Sequence, residues 1–184
     1  MVRQARTFFY FPVVYQPSYA DIQAELIASG GMEIEFRPTT AINLDVLEKL
    51  RGTEDEQVLI VIDDGTKSGL TSDSLAEAFT CCRHFNQSCV LVTHVMFHQS
   101  QAARIIGQNI NYYVVMASPR LRSQVGILGS QLAIRQAALS AYDDCASKPY
   151  GMLLIDLRVA TPAVLRLRSG LTNAEHQIVF VPTK

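Results

Sequence analysis

A chain of 184 residues is long enough for one compact domain with a sizeable core and short for two of ordinary size, so a single domain over residues 1–184 is expected. Charged residues make up 18% and hydrophobic ones 48%, a balance that excludes intrinsic disorder. With 16 basic and 17 acidic side chains the formal net charge is −1, which excludes a surface that grips phosphate backbone everywhere and confines nucleic-acid contact to a local patch.

The chain opens with MVRQARTFFYFPVVYQPSYA. Arg3 and Arg6 precede its apolar run and Ser18-Tyr19-Ala20 imitates a cleavage site, the pattern of a secretory leader. The run is nevertheless aromatic and β-branched, and Pro12 interrupts it, so a strand over residues 7–14 is the better reading. A helix over 17–29 opens on Pro17, a strand follows over 33–36, and a helix over 44–51 starts after the cap residue Asn43. Residues 58–63 form the next strand. A helix over 72–84 then carries Leu75, Ala78, Phe79 and Cys82 on one face. Strands at 89–93 and 112–116 flank a helix at 100–107, and helices at 120–129 and 134–147 precede strands at 152–157, 164–167 and 178–181. Apolar runs alternating with helices predict an α/β fold with a mainly parallel, doubly covered sheet, its last two strands being antiparallel additions. No apolar stretch reaches the roughly 18 residues of a membrane span.

The four cysteines, Cys81, Cys82, Cys89 and Cys145, have neither CxxC spacing nor the distribution of a disulfide framework, which points to a reducing compartment. The segment richest in chemistry is Val58-Leu59-Ile60-Val61-Ile62-Asp63-Asp64, five apolar residues that end in two carboxylates. Ligands of open α/β sheets bind beyond the carboxyl ends of such strands. This is the form of a Walker B element, in which Asp63 helps hold hydrated Mg²⁺ and Asp64 polarises the water that attacks a γ-phosphate. An Asp-Asp-Gly turn after a hydrophobic strand accounts for the pair equally well.

A neighbouring apolar run, Cys89-Val90-Leu91-Val92, leads into Thr93-His94, polar side chains where a γ-phosphate sensor would stand. A hydrogen-bonded histidine at a strand end is the plainer account of His94. His94 and His98 would share a helix face, but without a carboxylate or cysteine at ligand spacing they do not make a zinc site. Arginines collect outside the strands at Arg104, Arg120, Arg122, Arg135, Arg158, Arg166 and Arg168. Arg166 and Arg168 alternate with Leu165 and Leu167, giving one basic face and one apolar face, either a row lining a nucleic-acid channel or a strand edge protected by charge.

The order of these elements resembles the packaging-type ATPases of the FtsK/HerA superfamily, in particular the poxvirus-type genome-packaging ATPases encoded by Polinton (Maverick) elements and virophages. The residues that carry the resemblance run through most of the chain: the aromatic strand leading to Tyr15-Gln16-Pro17, the strand ending in Asp63 and Asp64, Phe79-Thr80, Arg83-His84-Phe85-Asn86-Gln87-Ser88, and Thr93-His94-Val95-Met96-Phe97-His98-Gln99. They continue through Asn109-Ile110-Asn111-Tyr112, Pro119-Arg120-Leu121-Arg122-Ser123-Gln124, Lys148-Pro149-Tyr150-Gly151, the strand from Met152 to Leu157, and Leu165-Arg166-Leu167-Arg168. The resemblance implies a P-loop NTPase fold of the ASCE/RecA-like type and a homo-oligomeric ring that hydrolyses ATP with Mg²⁺ to translocate double-stranded DNA into capsids. It further implies capsid-protein partners, no membrane, and an intracellular setting: nucleus, cytoplasmic virus factory or virion. An arginine acting on a neighbour's site is then expected among Arg104, Arg120 and Arg122.

Three departures accompany the resemblance. No G-x-x-x-x-G-K-[ST] occurs, since Gly65-Thr66-Lys67-Ser68-Gly69 lacks the Gly-Lys pair and the loop before it. Thr93-His94-Val95 stands where the family has Thr-Gln-Asn, and Gly65 follows the aspartates where it has an apolar residue. The expectation is therefore a domain without its phosphate-loop strand, an inactive portion of a packaging ATPase. A non-catalytic scaffold or interaction module derived from one is the alternative.

Overall fold

In the computed structural model, which describes residues 4–11, 16–28, 32–38, 44–63, 72–170 and 177–182, the described residues form eight strands and six α-helices. They divide into two compact units, Met1–Asn109 and Ile110–Lys184.

The first unit is built on the strands β1 (Gln4–Phe11), β2 (Met32–Pro38), β3 (Glu56–Ile62) and β4 (Gln87–Leu91), all parallel, in the order β2-β1-β3-β4. Helix α1 (Pro17–Ala28) links β1 to β2, α2 (Leu44–Lys49) lies between β2 and β3, and α3 (Asp73–Cys81) between β3 and β4. A parallel sheet buries both faces under such crossovers, and the register shows how the residues are sorted. Phe8 pairs with Ile60, Tyr10 with Ile62 and Val58 with Gln87, giving one face on which all six are buried. Helix α2 reaches that face where Gln87 Nε2 donates to the Leu47 carbonyl at 2.6 Å. On the other face Thr7 pairs with Ile34, Phe9 with Phe36, and Val61 with both Phe9 and Val90. Tyr19 of α1 covers it, with its ring centroid 5.1 Å from that of Phe9 and 5.6 Å from that of Phe36. This cover does not extend over β4, whose Val90 is exposed, as is Val92 just beyond it.

Helix boundaries follow local chemistry. Ser72 caps α3 by accepting from the Leu75 amide at 3.4 Å, while Leu75, Ala76, Ala78 and Phe79 form its buried stripe. The helix expected over 72–84 ends at Cys81 and tightens into a 3₁₀ turn, Cys82–Phe85. Asn86, at φ 52°, then takes the left-handed conformation that asparagine tolerates best among residues with a Cβ, and turns the chain into β4. After β4 residues 92–100 are not helical, so the pairing of His94 with His98 across a helical turn does not form; α4 (Gln101–Asn109) begins later, and His98 Nδ1 accepts from the Ser100 amide at 3.2 Å.

The second unit departs from the mainly parallel expectation. Its sheet, β5 (Tyr112–Met116), β6 (Met152–Asp156), β7 (Leu167–Ser169) and β8 (Ile178–Val179), is antiparallel throughout. The reason lies in the connection. One crossover helix would carry the chain back to the start of β5, but α5 (Leu121–Gln131) and α6 (Arg135–Ala146) form a helical hairpin that returns it to the end it left, where the Ala117 amide donates to the Gly151 carbonyl at 3.0 Å. Antiparallel β7 and β8 agree with expectation, except that 163–165 is a 3₁₀ turn and only Leu167–Ser169 is strand. No described helix is long and apolar enough to cross a membrane.

The hairpin closes tightly at Gly129, where an added Cβ would stand 2.9 Å from both Ala138 Cβ and Arg135 Cα. Gly129→Ala should therefore lower the stability of the folded chain by ~1–3 kcal/mol despite alanine's better helix propensity, as measured by urea unfolding.

Candidate functional site

The carboxyl edge of the parallel sheet brings together the residues that sequence patterning singles out in the first unit. β3 and β4 are adjacent and in parallel register, Ile62 opposite Leu91, with the Val92 amide bonded to the Ile62 carbonyl at 2.8 Å. Asp63 and Thr93 consequently leave the sheet at the same edge. Backbone pairing extends one residue further for Asp63, whose amide donates to the Tyr10 carbonyl at 2.9 Å. Asp64 and the segment through Thr71 lie outside the described residues.

Asp63 does not stand in open solvent. The Tyr19 hydroxyl, delivered by the first turn of α1 through the aromatic cluster of Phe9, Phe11 and Phe36, donates to Asp63 Oδ2 at 2.7 Å. Nothing in the local pattern of α1 announces this contact, because the two residues are 44 positions apart and meet only when α1 packs on the sheet. Thr93 Oγ1 is engaged with its own turn, accepting from the Val95 amide at 3.3 Å and lying 3.4 Å from the Val95 carbonyl. His94 is exposed at the same edge. Arg104 lies on α4 away from its buried residues, Ala102 and Ile106.

The remaining candidates belong to the second unit. Arg120 is the exposed cap of α5. Arg122 forms a fork with Asp143 of α6, Nε to Oδ1 at 2.7 Å and Nη2 to Oδ2 at 2.8 Å, which raises the arginine's affinity for its proton and lowers the carboxyl's. The pair ties the hairpin together from its surface. Beside it, Arg122, Gly126, Ile127, Arg135 and Leu139 border an open groove of about 460 Å³.

Arg166 and Arg168 meet a partner that the sequence reading left unassigned. Asp156 ends the apolar run of β6 and is fully buried. Its Oδ1 accepts from the Arg158 amide and Nε, both at 3.1 Å, and its Oδ2 from Arg158 Nη2 at 2.9 Å and Arg168 Nη2 at 2.7 Å. Arg166 Nη1 donates to the Asp156 carbonyl at 2.9 Å, and the Arg158 guanidinium lies 4.8 Å from the centre of the Tyr112 ring. Two guanidiniums thus hold the carboxylate and a third holds the main-chain carbonyl of the same residue, an excess of two positive charges at one end of the antiparallel sheet. The basic face is real at Arg168, opposite fully buried Leu167, but Leu165 lies in the 3₁₀ turn and is exposed, so the alternation does not extend to it. A signal for Asp156 is present in the sequence: an apolar strand ending in aspartate, as at Asp63.

Asp63 places a carboxylate at the carboxyl edge of the parallel sheet, and Mg²⁺ is commonly held by one or two carboxylates with the rest of its shell water. Among the described residues no group of three histidine, cysteine or acidic side chains is arranged around a metal position. Comparison with protein-family models, curated proteins and solved structures finds no match to this chain.

Two predictions separate the parts of this site. Tyr19→Phe should cost about 1 kcal/mol in urea unfolding, the net worth of one hydrogen bond to a part-exposed carboxylate, whereas Tyr19→Ala should cost ~3–5 kcal/mol because the buried ring is lost as well.

For Asp156, the Arg158 hydrogen bonds hold the folded carboxyl at about 2, below its ordinary 3.8, against the opposing effect of burial. A depressed folded value means that the stabilisation is present above the unfolded value and is lost as pH falls toward 2. Its size is on the order of 1–2 kcal/mol once screening of the half-exposed Arg158 is allowed for. Urea midpoints measured across this acid range should fall with pH in the wild-type chain, and Asp156→Asn should start lower and show a flatter acid limb.

Proposed function

We propose that this chain is a module of a DNA-packaging ATPase of the P-loop NTPase type, with Asp63 as its magnesium carboxylate and Arg166 and Arg168 facing duplex DNA. In this reading its 184 residues do not hydrolyse ATP by themselves. The observation that carries the reading is the pairing of β3 with β4, two neighbouring parallel strands that bring Asp63 and Thr93-His94 to one edge. The open flank of β4 adds support: in ATPases of this kind the phosphate-loop strand lies beside the sensor strand, and among the described residues β4 is the last strand of its sheet, with Val90 and Val92 exposed. Packaging would take place with capsid proteins, in a homo-oligomeric ring, in a nucleus or virus factory.

The chemistry divides unevenly between what these residues hold and what they lack. Asp63 is the carboxylate that would hold a hydrated Mg²⁺, and magnesium would supply charge neutralisation for a phosphate group. The sequence has no G-x-x-x-x-G-K-[ST] loop to cradle a triphosphate, and such a loop supplies most of the phosphate binding in these sites. The Thr93 hydroxyl is turned to Val95, and Arg122 is closed on Asp143, which leaves Arg104 and Arg120 as the arginines better placed to act on a neighbour. The engagement of Asp63 by Tyr19 favours the second reading, a non-catalytic scaffold or interaction module derived from such an ATPase.

Calorimetry on the 184-residue chain should find Mg-ATP affinity weaker than ~1 mM, and no DNA-stimulated hydrolysis should be detected. Duplex DNA should bind at low salt without sequence preference, with Arg166→Ala reducing the slope of log K against log salt by about 1. Micromolar Mg-ATP affinity would show that these residues hold nucleotide after all. Absence of salt-dependent duplex binding would remove the DNA-packaging reading.

A further inference from the structure

The sheet of the second unit has one closed face and one open face, and strand register sorts its residues between them. Val115, Leu153, Ile155 and Leu167 belong to the closed face, where α6 packs against β6 and β7, and all four are buried. Tyr112, Val114 and Met116 of β5 belong to the other face and are 43%, 46% and 47% exposed, which leaves this row open among the described residues. Val114 stands opposite Leu154 of β6, and Leu154 opposite Arg168 of β7, so the open face continues across the strands to an arginine.

Isolated apolar side chains are ordinary at a surface, but a contiguous apolar row beside concentrated charge marks an interaction site. At the Tyr112 end, Arg158, Arg166 and Arg168 hold Asp156 with two positive charges in excess, and the Arg158 guanidinium lies against the Tyr112 ring. Arg168 Nε is a buried donor with no partner among the described residues. The bias extends to the unit as a whole. Residues 110–184 carry eight basic and four acidic side chains, a net +4, while residues 1–109 carry eight and thirteen, a net −5, which together give the chain its −1. Positive charge is therefore concentrated on the unit that has the open sheet, and asymmetry of this kind points to a polyanion.

We propose that the open face of the antiparallel sheet binds single-stranded nucleic acid, with bases lying on Tyr112, Val114 and Met116 and phosphates held at the end formed by Arg158, Arg166 and Arg168. The occupant follows from what the face offers. In a duplex the bases are stacked on one another, so a duplex meets the arginines through its phosphates and gains nothing from the apolar row. A single strand has free base faces that stack on an aromatic ring and lie against apolar side chains while its phosphates stay near positive groups. A protein partner would have to bring an apolar surface and an acidic end together at this spacing, whereas a single strand carries both in every nucleotide. The site shares Arg166 and Arg168 with the duplex contact proposed above and goes beyond it, because its selectivity comes from the β5 row.

Fluorescence anisotropy on the folded full-length chain tests this with labelled dodecamers of thymidine and uridine and a duplex dodecamer at one low salt concentration. At least one of the single strands should bind about tenfold more tightly than the duplex, and the ratio of the two identifies the preferred sugar. Tyr112→Ala should weaken single-strand binding roughly five- to a hundredfold, the range for one lost stacking partner, and Tyr112→Phe should retain it. Val114→Glu, which sets a carboxylate in the open row, should weaken it by about tenfold or more, while Ile127→Glu, the same change at an exposed position of α5, should stay within about twofold. Circular dichroism verifies that each variant is folded. A strand containing 5-iodouracil, irradiated in the complex, should cross-link to Tyr112 in the tryptic peptide 105–120. Duplex bound as tightly as both single strands, or Tyr112→Ala and Val114→Glu no weaker than Ile127→Glu, would overturn the proposal. So would a dimer in sedimentation equilibrium that Val114→Glu dissociates while no strand binds, since the face would then belong to a second copy. Duplex binding that responds to Arg166→Ala but not to Tyr112→Ala would leave the duplex contact standing without this site, and tight single-strand binding without duplex binding would do the reverse.

Discussion

The first unit depends on β3 being hydrogen-bonded along both edges at once. Its last five residues are apolar, with Val58, Ile60 and Ile62 facing one layer and Leu59 and Val61 the other, so it is stable only where strands flank it and side chains cover both faces. β1 and β4 provide the edges, and the aromatic residues of β1 and α1 provide much of one cover. Everything at the carboxyl edge inherits its position from this constraint. Asp63 is the first residue that the strand need not bury, and Thr93 reaches the same level because β4 runs in register beside it.

The same sequence device, an apolar run ending in aspartate, is used in opposite ways by the two units. Asp63 lies part-exposed at an edge and accepts from the Tyr19 hydroxyl. Asp156 is buried completely, and its carboxylate is saturated by Arg158 and Arg168. A buried carboxylate without such partners would be prohibitively costly, and three clustered guanidiniums without it would repel one another, so each makes the other tolerable. The cost of the arrangement is that arginines available to an external phosphate are partly committed within the chain. Whatever anion approaches this end of the sheet meets the two-charge excess rather than three free forks.

Much of this protein was legible in its residues. Strand and helix positions followed from apolar periodicity and from Pro17 at a helix start, because these depend on interactions within a few residues of chain. The parallel character of the first sheet and the edge position of Asp63 and Thr93 followed from continuous apolar runs alternating with helices. Tertiary structure decided the rest. The direction of β6 was set by the return of the α5–α6 hairpin, the occupant of Asp63 Oδ2 by the docking of α1, and the fate of Arg166 and Arg168 by the burial of Asp156. Each of these depends on groups far apart in sequence that interact only after packing has excluded water from between them, and periodicity along a single element carries no record of which distant partner will be found there.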